Sequence, residues 1–140
     1  MPDEGLDQGR ARALQAKAAR DAGRHAEAIA AYREAAESAR RDGDLLALAH
    51  RLRHIGDIHL EDDRIDLAAP LYDESLALYR SRDDVPPLDL ANLLRPLALL
   101  SAARNQPEAA RRYWTEALAL YRQAGVGAGV DECTRHLEAL

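Results

Sequence analysis

The chain has 140 residues, 47% hydrophobic and 31% charged, with a net charge of −5 and no Phe. That length suits one domain with a real core, and the acidic balance argues against an ordinary basic nucleic-acid binder. A single cysteine, Cys133, excludes an intrachain disulfide framework, and no apolar run nears the roughly 20 residues that cross a bilayer. Met-Pro-Asp-Glu at the start has neither the basic region nor the apolar run of a signal peptide, so a soluble cytoplasmic protein is expected.

Ala and Leu carry the apolar content, which favours helix over sheet. Strong helix formers run from about Leu6 to Ala22, and Gly23 supplies a turn. From His25 to Arg41, the residues Ala28, Ile29, Tyr32, Ala35, Ala36 and Ala39 fall on one helical face. Gly43 and Asp44 close that helix and open a third, which runs to about Asp62 with Leu48, Leu52, Ile55 and Ile58 or His59 in register. After the acidic turn Glu61-Asp62-Asp63-Arg64, a fourth helix is expected with Asp66 as its N-cap and an irregular start near Pro70. Pro86 and Pro87 open a fifth, in which Pro96 should produce a bend. Asn105-Gln106-Pro107 opens a sixth that ends at Gly125, and a glycine-rich joint from Gly125 to Gly129 precedes a last short helix. Its stripe is Val126 or Val130, Cys133, Leu137 and Leu140, with Asp131, Glu132, Arg135 and Glu138 toward water.

An internal repeat organises these helices. Ala28, Tyr32 and Ala35 superimpose on Ala68, Tyr72 and Ser75 and on Ala110, Trp114 and Ala117, at offsets of 40 and 42 residues. Small residues Ala16, Gly56 and Ala98 each precede their partner alanine by twelve positions. Helices that meet through small residues approach closely, and the large ring fills the remaining gap.

With Ala22 to Tyr32 and Pro107 to Leu118 as its best segments, the chain resembles the tetratricopeptide repeat family. The usual period is about 34 residues, so each helix here gains about one turn. The resemblance implies an all-α, right-handed superhelical solenoid of three antiparallel helix pairs, residues 5–42, 44–82 and 86–124, with a capping helix over 127–140 in a single domain. Arg12 and Gln15 stand where Leu52 and Ile55 occur later, which reads as a polar cap on the first repeat.

In this family the first helices of successive repeats line a concave groove that holds a peptide. Here the groove residues would be Arg10, Ala13, Lys17 and Arg20, then His50, Arg53, His54 and Asp57, then Asn92, Arg95 and Leu99. That face is basic within an acidic chain, so an acidic segment or terminal carboxylate is the expected ligand. The family's lysine, asparagine and arginine clamp for a terminal carboxylate is not matched. Ala13 and Asn92 stand at its lysine positions, Lys17 and His54 at its asparagines and Pro96 at its arginine.

His50, His54, Asp57 and Glu61 share one helical face and could ligate a metal, but they lack the glutamate of a His-Glu-x-x-His motif, so structural histidines are the preferred reading. Cys133 and His136 are three apart, yet Cys133 belongs to an apolar stripe and reads as an inert thiol. The expectation is a non-enzymatic protein- or peptide-binding module, monomeric rather than homodimeric, with no cofactor, metal, nucleic acid or membrane partner. The alternative is a structural module that self-assembles into a homo-oligomer.

Overall fold

The computed structural model describes the backbone of residues 4–140 and side chains from residue 8 onward. All regular structure among the described residues is helical: α1 Glu4–Asp21, α2 His25–Asp42, α3 Leu45–Glu61, α4 Ile65–Arg80, α5 Pro87–Ala103, α6 Pro107–Ala124 and α7 Gly127–Ala139. They gather into two compact units, one ending at Ser81 and the other spanning Arg82–Leu140. Within each unit, helices pack on their neighbours in chain order: α1 on α2, α2 on α3 and α3 on α4 in the first, α5 on α6 and α6 on α7 in the second.

One turn design joins the helices inside both units. Gly23, Gly43, Asp63, Asn105 and Gly125 all have positive φ, and the next residue bonds back five positions, as Arg24 N–H does to Ala19 O and Gln106 N–H to Ser101 O. This is the Schellman closure, which satisfies the last carbonyls of one helix and turns the chain directly into the next. Gly23, Asp63 and Asn105 are 40 and 42 residues apart, so the repeat fixes the turns as well as the seams.

The seams are as the repeat predicts. Ala16, Ala28, Ala35, Ala68, Tyr72, Ser75, Ala98, Ala110, Ala117 and Trp114 are at most 1% exposed. Tyr72 lies so close over Gly56 that a Cβ there would stand 2.7 Å from its ring. Ala16, Ala19, Ala28, Ala31, Tyr32, Ile55 and Ile58 form one cluster of the first unit, and Ala36, Ala39, Leu48 and Leu52 another. Ser75 Oγ donates to Ala49 O at 2.8 Å, so the serine that replaces a repeat alanine is satisfied inside the seam.

Three local expectations are corrected. Asp66 is not the N-cap of α4. The helix opens two residues earlier, with Arg64 as the N-cap and Asp66 in the first turn, where its charge complements the helix dipole. Pro70 falls in the second turn of an uninterrupted helix, where its ring is exposed. The joint before α7 is only Gly125 and Val126; Gly127 and Gly129 are helical, and a Cβ on Gly129 would meet the Tyr121 ring at 2.5 Å. Gly129 is therefore a seam residue.

Candidate functional site

The face of α1 and α3 in the first unit carries most of the residues singled out from the sequence. Arg10 and Lys17 on α1 are exposed, and Arg20 is half-buried. On α3, His50, His54 and Asp57 are half-buried and Arg53 is buried. Asn92, Arg95 and Leu99, all half-buried, lie on α5 in the second unit.

His54 is the centre of the cluster in the first unit. Its ring stacks on Tyr32 of α2 at 5.1 Å and 3°, and His50 meets it edge-on at 4.5 Å. Arg20 Nη1 approaches His54 Nδ1, and Arg53 Nη2 approaches Nε2, each at 3.3 Å. A neutral imidazole has one accepting nitrogen and an imidazolium has none. Burial, then the charge of Arg53, lowers the His54 pKa to about 2, so the ring is neutral at physiological pH.

Arg53 and Asp57 form the floor beneath it. Arg53 Nη1 donates to Asp57 Oδ2 at 2.8 Å, and the Tyr72 hydroxyl of α4 donates to Asp57 Oδ1 at 2.6 Å. Burial raises the Asp57 pKa, against the opposing pull of Arg53 and Tyr72, and burial together with Asp57 raises that of Tyr72. Arg53 Nε is buried without an acceptor among the described residues. The floor is therefore internally paired, and Arg53 serves to hold His54 and Asp57 rather than to reach solvent.

Two of the outer cations, Lys17 and Arg20, have carboxylates of their own. Lys17 pairs with Asp21 at 3.2 Å across largely exposed side chains, and Arg20 pairs with Glu61 of α3. Burial works against the Arg20 cation, but the hydrogen bond and charge of Glu61 outweigh it and raise the pKa. Next to that pair, His25 Nδ1 lies 2.9 Å from Asp62, which ties the start of α2 to the end of α3. The face is thus a lattice of alternating charges, less basic than the sequence spacing suggests. Long-range partners such as Glu61 and Tyr72 escape a reading of one helix face at a time, although Glu61 follows Asp57 by four positions and shares its face.

In the second unit the same positions are engaged. Asn92 Oδ1 accepts from the Tyr121 hydroxyl at 2.8 Å. Arg95 forks onto Glu132 of α7, Nε at 2.5 Å and Nη2 at 3.0 Å. Glu132 was expected to face water; it is instead half-buried, and its bond to Arg95 lowers its pKa.

One His54 nitrogen accepts from Arg20 or Arg53, Asp57 accepts from Arg53 and Tyr72, and no group of three or more His, Cys, Asp or Glu among the described residues could hold a metal ion. Cys133 is fully buried and burial pushes its thiol up to about 11, while His136 lies flat on Trp114 at 4.2 Å. Such a thiol is a poor nucleophile. Among the described residues no helix is long and apolar enough to cross a membrane.

The family model described as tetratricopeptide repeat matches residues 9–81, which span both hairpins of the first unit. No curated protein matches the chain.

Proposed function

The chain belongs to the tetratricopeptide repeat family, and on that premise we propose that it is a non-catalytic interaction module whose α1 and α3 bind a peptide or helical segment of another protein. Repeats of this family mediate contacts between proteins. The observation that best supports the reading here is the division of the α1 and α3 face into two layers. Arg53, His54, Asp57, Tyr32 and Tyr72 form a floor of paired and stacked groups, with half-buried Arg20 and His50 against it, while Arg10 and Lys17 are exposed. A preformed surface lowers the ordering cost of binding.

The proposed ligand carries acidic side chains. Because Lys17 and Arg20 already hold Asp21 and Glu61, an incoming carboxylate exchanges with an internal one. Pairs of this kind, exposed for Lys17 and half-exposed for Arg20, each contribute less than about 1 kcal/mol. Affinity then comes from several such exchanges together with apolar contact, and it weakens as salt screens them.

Reversal of charge at exposed positions tests this without touching the floor. Arg10→Glu with Lys17→Glu leaves the thermal melt of the protein unchanged, while partners captured by the wild type from a lysate of the source organism are lost. Retention of every partner by the double variant would remove the α1 and α3 face from consideration.

A further inference from the structure

The two large apolar side chains most exposed among the described residues are Leu14 of α1, at 70%, and Leu67 of α4, at 51%. Scattered surface leucines are ordinary; what distinguishes these two is the charge around each. From Gln8 to Arg20, α1 carries four cations, Arg10, Arg12, Lys17 and Arg20, and no carboxylate. From Glu61 to Glu74, the turn into α4 and its first half carry six carboxylates and a single cation, Arg64. One leucine therefore stands in a basic surface and the other in an acidic one.

The spacing of the charges agrees as well. Arg10 and Lys17 lie seven positions apart along α1 with Leu14 between them, and Asp66 and Asp73 lie seven apart along α4 with Leu67 between them. Seven residues make two helical turns, about 10 Å. All four charged side chains are exposed. Lys17 holds Asp21 of its own helix, across side chains open enough that exchange for another carboxylate costs little. Inside the unit α1 packs on α2 and α4 on α3, and both leucines remain exposed in the same molecule.

We propose that each of these faces is covered by a second copy of this chain: α4 of one molecule lies along α1 of the next, with Leu67 against Leu14 and with Asp66 and Asp73 against Arg10 and Lys17. The two faces differ, so the contact is heterologous. Each added molecule leaves one α1 face and one α4 face open, and copies join head to tail in open chains. Two leucines and a few exposed ion pairs hold such a contact weakly, with a dissociation constant of roughly 0.1–1 mM, and salt loosens it. Self-association competes with a partner of the α1 and α3 face for Arg10 and Lys17, but it is measured on the purified protein alone, so its failure leaves the partner-binding role to its own test.

Light scattering from the full chain at concentrations up to about 1 mM should give an average mass that rises with concentration and falls with added salt. Leu14→Asp removes one face and Leu67→Asp the other, both at exposed positions where the thermal melt should stay close to that of the wild type. Each variant alone should be monomeric, its association weakened at least about tenfold. An equimolar mixture of the two should form a dimer and nothing larger, because one intact α1 face meets one intact α4 face. If Leu67→Asp lowers the melt, Asp66→Lys with Asp73→Lys replaces it, on side chains that are exposed. A mass that stays at 15.4 kDa across the whole range, or variants that associate as the wild type does, would overturn the proposal. A mixture that stays monomeric would also overturn it, in favour of a contact between like faces.

Discussion

Substitution of Gly56 by alanine sets two effects of opposite sign against each other. On helix propensity alone, alanine in mid-helix is favoured by about 1 kcal/mol. In the seam, the new Cβ would stand 2.7 Å from Tyr72 Cε1 and 3.0 Å from both Cδ1 and Cζ. The ring cannot easily swing away: Tyr72 is 0% exposed and its hydroxyl is tied to Asp57 at 2.6 Å. Overpacking of this kind costs about 1–3 kcal/mol, and release of a hydrogen bond to a charged group adds about 1.5–3 kcal/mol if the ring moves. Steric cost therefore wins, for a net destabilisation of about 2 kcal/mol. In a unit of this size that lowers the melting temperature by roughly 8–16 °C. Urea unfolding followed by far-UV circular dichroism measures it, and in a Tyr72→Leu background the same substitution should cost far less because the two residues are coupled. If Gly56→Ala proves as stable as the wild type, or more so, the close approach of α3 and α4 through Gly56 is wrong.

Two further outcomes follow from buried groups. The His54 pKa is depressed to about 2, below its unfolded value, so the unfolded chain binds more protons between pH 6.5 and that value and stability falls as pH drops through this window. The loss is up to about 1.4 kcal/mol per pH unit, and His54→Leu should flatten it; an equal slope in wild type and variant between pH 6.5 and 5 would contradict the neutral, buried ring. His59 is 5% exposed with Nδ1 lacking a partner among the described residues, so His59→Leu should raise stability by about 1 kcal/mol, read as a higher urea midpoint, and a lower midpoint would mean that the nitrogen is satisfied.

The repeat was legible in the sequence because its physical cause is local and periodic. Small residues at Ala28, Ala68 and Ala110 recur with rings four positions later, and each pair ends up buried as that spacing requires. Turns were legible where glycine marks them, at Gly23, Gly43 and Gly125, and equally at Glu61-Asp62-Asp63-Arg64 and Asn105-Gln106-Pro107; what the sequence left out is that Asp63 and Asn105 take the same left-handed conformation as the glycines. Gly129 was misread because a glycine-rich stretch suggests a joint, whereas contact with Tyr121 is a tertiary fact. The site was legible as a face but not as a network. Periodicity placed Arg53, His54 and Asp57 together; that Arg53 is buried on Asp57, that Tyr72 completes the pair and that Glu132 meets Arg95 depends on partners 15 to 37 residues away or on depth below the surface. Charge counted along one helix therefore overstated how basic the face is.

In the proposed function, α1 and α3 are the surface that receives a partner. Backbone amide chemical shifts of the full chain, recorded as the binding segment of a captured partner is titrated in, test it most directly. The account predicts perturbations concentrated at Arg10 to Arg20 and at His50 to Asp57, reduced by added salt; perturbations confined to α2 and α4, with those two stretches unmoved, would contradict it.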